Sequence, residues 1–275
     1  YDNENRLSLY QGYIEFLKGG QIPVTLRIGR HELVYGSAFL LGNDDFYQGL
    51  SWDGAKINIQ PLSSLTVDLI AARLVSFTNN KANKPGLYGF YSTYTGLPDI
   101  DWDVYYDRHG FQNLYDHLPA SPLWFTAGTR IELKIAQQLT VEFEPMYQFG
   151  RVRFNIPAGS SQIRAYGGHI HLTYDFNLPL YPSLRICYAF GTGDRNTKDG
   201  TMREFHGNIY NDVTAVGDMN IIPDIGGVDI GQIRASGIRA TTLASSIKPT
   251  PRLTINFDYH YFVADKTTMC ISTTL

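Results

Sequence analysis

The stretch LTVEFEPMYQFG (139–150) separates apolar from polar side chains with a period of two. One parity holds Val141, Phe143, Tyr147 and Phe149, and the other holds Glu142, Glu144 and Gln148. Side chains of a β-strand point alternately to its two faces, so this strand has one apolar, aromatic face and one polar face. Such a strand fits either a water-soluble sheet that covers a core or a membrane strand that lies between lipid and water.

Segments with the same period recur along the chain, and helical periodicity is nearly absent. There are about twelve such segments of roughly ten residues each, which is the length of a tilted strand that crosses a bilayer. The predicted strands are 6–17, 23–32, 51–60, 65–76, 86–95, 100–108, 123–133, 139–150, 165–176, 183–192, 232–246 and 252–263.

The connections between these segments alternate in length. Tight turns such as KGGQI (18–22) and NLPLYP (177–182) are rich in turn-forming residues, whereas the connections 31–50, 111–122 and 193–231 are long. Short turns on one side and long loops on the other are typical of outer-membrane barrels. We therefore predict an all-β fold, an antiparallel transmembrane β-barrel of the outer-membrane type, in preference to a soluble β-sandwich or β-barrel.

The composition excludes several classes of protein. A net charge of -3 over 275 residues, with 18% charged residues, gives no indication of a nucleic-acid partner. The 19 tyrosines suit a boundary between water and an apolar phase, and no apolar run approaches the roughly 18 residues of a transmembrane helix. Cys187 and Cys270 lack the spacing of metal ligands, so we predict neither a cofactor nor a metal ion.

The parity rule divides each strand into a lipid face and a lumen face. A charge on the lipid face costs about 2–4 kcal/mol at the membrane midplane, so the polar parity should face water. The residues predicted to face the lumen are Arg27, Lys56, Asp68, Asp103, Arg130, Glu132, Glu142, Glu144, His169, His171, Asp175, Arg185, Asp258 and His260. The residues predicted to face lipid include Leu26, Ile28, Ile57, Ile59, Trp102, Val104, Phe125, Phe143, Ile170, Leu172, Ile186, Tyr188, Ile255, Phe257 and Tyr259.

Aromatic belts at the strand ends are predicted to include Tyr10, Tyr88, Tyr94, Trp102, Trp124, Tyr147, Tyr174, Tyr181 and Tyr261.

Several segments, in order, resemble the alginate-export family of bacterial outer-membrane barrels. They are LRIGRHELVYGSAFLLG (26–42), LSWDGAKI (50–57), WDVYY (102–106), FTAGTRIE (125–132), VEFEPMYQFG (141–150) and YAFGTGD (188–194). His31 and Trp52 stand where the family has Gln and Phe. The resemblance implies a monomeric barrel of about 18 strands that exports an anionic polysaccharide through an arginine-rich constriction. The predicted lumen residues themselves include about as many acids as bases.

The resemblance assigns four residues to the constriction: Arg30, Asp53, Arg130 and Asp194. Opposed arginine and aspartate side chains in a narrow lumen orient passing solutes, and the guanidinium fork suits carboxylate groups. The alternative is that these residues form ion pairs that stiffen the wall. Arg30 shares a parity with Val24 and Ile28, so it lies either at the rim or inside the lumen by way of a bulge near Gly29.

Other polar residues have alternative interpretations. His169 and His171 project from one face, as zinc ligands sometimes do, and would need Asp175 or His260 nearby as a third ligand. We interpret them as solvated lumen residues. Glu142 and Glu144 hold carboxylates about 7 Å apart, but nothing beside them predicts glycoside hydrolysis.

The loop 193–231 is rich in Gly and Asp, and we predict an extracellular loop that plugs or caps the lumen. Its aspartates lack the spacing of an EF-hand, which favours solvation over calcium binding.

The sequence thus predicts a porin-like channel, not an enzyme, in the outer membrane of a Gram-negative bacterium. It would conduct a polar or anionic solute, which includes acidic saccharides and polysaccharides, by passive diffusion. Its partners would be the lipid bilayer and the solute, with no nucleic acid. The alternative is a structural barrel that sheathes or anchors a protein partner such as an electron-transfer component.

We also expect residues 1–275 to form a single barrel domain that is incomplete at both ends. Short turns follow the odd-numbered segments, so the first strand should run inward from the exterior, whereas both termini of an ordinary outer-membrane barrel lie in the periplasm. At least one further strand is expected on each side, within a barrel of roughly 14 to 18 strands.

Overall fold

The computed structural model describes residues 9–39, 41–42, 51–75, 86–110, 120–155, 158–196, 198–203, 205 and 238–264. Within these ranges the chain forms strands and loops without a helix. No helix in the described part is long and apolar enough to cross a membrane. The strands are β1 (Gly12–Lys18), β2 (Val24–His31), β3 (Trp52–Leu62), β4 (Leu65–Leu74), β5 (Gly86–Leu97), β6 (Ile100–Gly110), β7 (Ala120–Ala136), β8 (Leu139–Asn155), β9 (Ala158–Asp175), β10 (Ser183–Gly191), β11 (Thr201–Met202), β12 (Ile238–Thr250) and β13 (Leu253–Ala264).

All the described strands belong to one sheet, in which every strand except β11 pairs antiparallel with its neighbours. The order is β1-β2-β3-β4-β5-β6-β7-β8-β9-β10-β12-β13, and the short β11 pairs in parallel with β9. The predicted all-β antiparallel fold is confirmed, and each of the predicted segments corresponds to a strand. Among the described residues, β1 pairs only with β2 and β13 only with β12. The predicted total of roughly 14 to 18 strands stays a prediction.

The hairpin of β8 and β9 is longer than predicted. The prediction treated residues 151–164 as a connection, whereas β8 extends to Asn155 and pairs with β9 from Ala158 onward. In this extension the polarity of the two faces is exchanged: Val152 and Ile163 are buried, while Arg151 and Arg164 are exposed. The parity pattern of a lipid-facing strand therefore ends near Gly150 although the strand itself continues.

The two faces of the sheet differ in character, as the parity rule predicts. On β8, Phe143 is 47% exposed, whereas Glu142 and Glu144 are 8% and 3% exposed. We call the face that carries Glu142 the inner face and the opposite one the outer face. Large exposed side chains of the outer face are Leu69, Phe90, Trp102, Val104, Ile131, Phe143, Ile170, Leu172, Ile186, Tyr188, Leu243, Ile255, Phe257 and Tyr259.

Aromatic rings form a continuous row across β6 to β9 on the outer face. The ring centroids of Tyr106 and Phe125 are 5.8 Å apart, those of Phe125 and Phe149 5.4 Å, and those of Tyr147 and Tyr166 4.8 Å. Of the residues predicted for the belts, Tyr88, Trp102, Tyr174, Tyr181 and Tyr261 are exposed at the surface. The side chain of Trp124 lies outside the described residues.

The segment that follows β2 lies against the inner face. We call residues 32–39 and 41–42 the inner loop. Its Leu33, Phe39 and Leu41 are buried in one apolar cluster with Tyr105 and Met146 of the sheet. The prediction placed a plug or cap in 193–231 instead, and most of that range lies outside the described residues.

Candidate functional site at the inner face

Tyr35 anchors the inner loop to β4 and β5. Its hydroxyl donates a hydrogen bond of 2.7 Å to Asp68, and its ring stacks on Tyr91 with centroids 4.5 Å apart. Burial and the neighbouring Asp68 carboxylate raise the pKa of the Tyr35 hydroxyl above its ordinary value. The hydroxyl therefore stays protonated and remains a hydrogen-bond donor.

Gly36 lets the inner loop approach the wall closely. Its φ of 55° lies in the left-handed region, and a Cβ at this position would lie 2.8 Å from the Tyr91 hydroxyl and 2.9 Å from Arg130 Cδ. Only glycine combines that backbone conformation with the space available. The backbone conformation of the YGS triplet (35–37) thus allows it to pack against the side chain of Arg130.

Ser37 and Phe39 extend the contact to β8 and β9. The Ser37 hydroxyl donates a hydrogen bond of 3.3 Å to Glu144 and lies 3.5 Å from His169 Nε2. The ring of Phe39 meets that of His169 edge-on, with centroids 4.5 Å apart. One short loop therefore contacts the inner face from β4 to β9.

Beneath the inner loop, Arg130 gathers carboxylates from three strands. Its guanidinium donates hydrogen bonds to Asp103 at 3.1 Å, to Glu142 at 2.6 Å and to Glu132. The strand register brings these groups together, because Asp103 lies directly opposite Arg130, and Glu132 lies opposite Glu142. Buried charges persist when they are paired in this way.

The network continues across β9. His169 Nε2 lies 2.7 Å from Glu142 and 3.7 Å from Glu144. Two tyrosine hydroxyls complete it: Tyr91 donates to Asp103 and Tyr105 donates to Glu144, each at 2.8 Å. We call Asp103, Arg130, Glu132, Glu142, Glu144, His169 and His171 the inner cluster.

Other predicted lumen residues form separate pairs. Arg27 contacts Glu15 at 2.6 Å and lies over the Tyr13 ring, and Lys56 contacts Asp68 at 3.2 Å. His260 Nδ1 lies 2.8 Å from the Thr242 hydroxyl.

Arg185 and Asp258 differ from these pairs, because their side chains have no hydrogen-bond or ion-pair partner within the described part of the chain. Arg185 is half-buried on β10, and Asp258 is exposed on β13.

Arg30 and Asp53, which the family resemblance placed in a constriction, lie apart from the inner cluster. They face each other across β2 and β3 in a register without a bulge, and two hydrogen bonds of 2.7 and 2.9 Å join them. Arg30 therefore keeps the parity of Ile28, and of the two alternatives the continuous register favours the rim.

Asp194, the fourth constriction candidate, organises a loop. Its carboxylate accepts hydrogen bonds from the backbone N–H groups of Asn196 at 2.9 Å and Arg203 at 3.2 Å. Of the four candidates, only Arg130 belongs to the inner cluster.

Sequence reasoning missed the inner-loop residues Tyr35, Gly36, Ser37 and Phe39 as part of the site. The signal was the apolar run LVYGSAFLL (33–41) inside a segment taken to be an exterior loop. An apolar run in a loop needs a surface to cover it, and the inner face supplies that surface.

The fold is similar to solved structures of Pseudomonas aeruginosa outer-membrane β-barrel porins. OccK11 (OpdR) is 15% identical with a TM-score of 0.53, and the similarity covers 93% of this chain and 74% of that one. OpdQ is 15% identical with a TM-score of 0.52, covering 90% and 73%. OccK10 (OpdN) is 12% identical with a TM-score of 0.53, covering 91% and 74%. At such identities the similarity concerns the fold alone.

No curated protein is significantly similar to this chain. The family model for alginate export, however, matches residues 1–274. This match and the similar folds support the interpretation of the protein as an outer-membrane channel for polar or anionic solutes. They also point to the outer membrane of a Gram-negative bacterium as its location. Because the match covers nearly every residue, the chain belongs to the alginate-export family.

Proposed function

We propose that the protein is a passive channel through which a polar or anionic solute, of the acidic saccharide class, diffuses across the outer membrane. The observation that supports the proposal is the inner loop, which folds onto the charged inner face. A loop that folds inward sets the width and the charge of a pore. No step of chemistry is required for this function.

The charges of the inner face support a solute with polar groups. The carboxylates of the inner cluster are engaged by Arg130, tyrosine hydroxyls and His169, which reduces their repulsion of a passing anion. The side chain of Arg185 has no hydrogen bond or ion pair with a described residue, so its planar guanidinium can bind a carboxylate of the solute. We therefore assign Arg185 a role in attracting the solute.

Single-channel recording in planar bilayers tests this function. Alginate oligosaccharides, added at millimolar concentration, should interrupt the current transiently, because their carboxylates are drawn to the Arg185 guanidinium. Neutral maltooligosaccharides of the same length should interrupt it less. Arg185→Gln should shorten the interruptions, whereas Arg252→Gln, in the exposed turn between β12 and β13, should not.

Two outcomes would contradict the proposal. Absence of any conductance from correctly folded protein would favour a barrel that sheathes or anchors a partner protein. Equal interruption by acidic and neutral oligosaccharides would remove the assignment of an anionic solute.

A further inference from the structure

We propose that Glu142, His169 and His171 form a binding site for a divalent transition metal, with Zn²⁺ the best match. The three side chains are buried on the inner face, and their ligand atoms all lie within 4.8 Å of one another. This site is independent of the solute that the channel conducts.

The strand geometry brings these three ligands together. His169 and His171 are two residues apart on β9 and point to the same face, with ring centroids 4.3 Å apart. Glu142 lies directly opposite His171 in the register of β8 and β9. The third ligand therefore comes from the neighbouring strand, and neither Asp175 nor His260 is needed.

The donor set fits zinc. Two imidazole nitrogens and one carboxylate oxygen are a ligand combination found at zinc sites that keep a fourth position for water. Glu142 and His169 Nε2 are now 2.7 Å apart. Two ligands with bonds of zinc length would lie about 3.3 Å apart in a tetrahedral arrangement, so a small side-chain movement is enough.

A second, independent observation is that imidazole nitrogens are left without partners. His171 is 7% exposed, and its Nε2 has no hydrogen-bond partner among the described residues. His169 Nδ1 likewise has no partner in that part of the chain. A buried polar atom without a partner costs roughly 1–3 kcal/mol, and a metal ion would remove this cost at His171.

The surrounding charge also favours a cation. Asp103, Glu132 and Glu142 all contact the single guanidinium of Arg130, and Glu144 lies beside them near His169. One carboxylate oxygen of Glu142 accepts a hydrogen bond from Arg130, and the other faces His169 Nε2. Arg130 would thus hold the carboxylate in place while its second oxygen binds the ion, as outer-shell groups do at metal sites.

The site lies directly under the inner loop. Phe39 packs against the His169 ring, and Ser37 lies 3.5 Å from its Nε2. A bound ion would fix the His169 ring and with it the surface on which the loop rests.

Metal titration of the purified protein tests the site. The protein in detergent micelles is freed of metal with a chelator, dialysed, and titrated with Zn²⁺ in a calorimeter and with Co²⁺ in a spectrophotometer. We expect one Zn²⁺ per chain and a visible Co²⁺ spectrum of low coordination number. His171→Gln should weaken Zn²⁺ binding by more than about tenfold.

The control is His260→Gln, which changes a histidine on β13 that contacts Thr242 and should leave Zn²⁺ binding unchanged. Wild-type protein that is folded but binds no Zn²⁺ would overturn the proposal, whatever the behaviour of the variants. Equal binding by wild type and His171→Gln would overturn it as well.

Discussion

At the scale of single residues, Arg130 determines the arrangement of the inner cluster. Its side chain is 10% exposed and reaches carboxylates on β6, β7 and β8. Removing one partner of a buried ion pair leaves the other charges without compensation, which costs far more than the pair itself contributes.

We predict that Arg130→Met lowers the free energy of unfolding by about 3–5 kcal/mol, because Asp103 and Glu142 lose their buried partner. Urea unfolding of the protein in lipid vesicles, followed by tryptophan fluorescence, measures this change. The matched control is Arg27→Met, which removes an arginine that is 26% exposed and paired with Glu15. The control should cost less than about 1 kcal/mol. Equal losses for the two variants would contradict a buried role for Arg130.

At the scale of elements, the inner loop and the β8–β9 hairpin show where the alternation rule stops. The inner loop packs its apolar side chains against the sheet, although loops of its length usually lie in solvent. In the hairpin, Arg151 and Arg164 are exposed beyond the aromatic row of Phe149 and Tyr166. Arginines next to an aromatic belt are suited to the headgroup level, so the apolar band should end near Gly150.

We predict that Gly36→Ala loosens the inner loop. A Cβ there would overlap the Tyr91 hydroxyl and Arg130 Cδ, and the left-handed conformation adds roughly 1–2 kcal/mol for a residue with a side chain. Single-channel recording should show a higher conductance with more current noise. Gly19→Ala is the matched control, because a Cβ at Gly19 meets nothing within 4 Å. An unchanged trace for Gly36→Ala would mean that the inner loop does not narrow the conducting path.

At the scale of the whole molecule, the sheet separates an apolar outer face from a charged inner face. The outer face exposes large apolar side chains on every strand from β4 to β10, and the buried acids and histidines lie on the other side. This division fits a sheet whose outer face lies against the membrane and whose inner face lies against water.

We predict that Ile170→Arg impairs folding into lipid vesicles by about 2–4 kcal/mol, because Ile170 lies on the outer face, midway along the part of β9 that follows Arg164. Leu178→Arg is the control, since Leu178 is also exposed but lies in the turn between β9 and β10. The folded fraction is read from the electrophoretic mobility of unboiled samples. Similar folded fractions for the two variants would show that Ile170 does not face lipid.

The period-two pattern was sufficient to predict twelve of the thirteen described strands and their faces, and it missed the short β11 and the extension of the β8–β9 hairpin. Residues such as Phe143 and Glu142 are adjacent in sequence, so their opposite environments follow from local geometry alone. The same local rule identified Arg130, Glu142, Glu144 and His169 as inner residues. It could not say that they contact one another, because register between strands depends on pairing over distances that the local pattern does not encode.

The sequence by itself thus determined twelve of the thirteen described strands, their antiparallel order and the polarity of their faces outside the β8–β9 extension, since all three follow from alternation and turn length. Only the tertiary structure decided that Tyr35 to Phe39 fold onto the inner face, that Arg30 pairs with Asp53 away from the inner cluster, and that Glu142 meets His169 and His171. These contacts join residues that are distant in sequence, and their free energy exists only once the sheet has assembled around them.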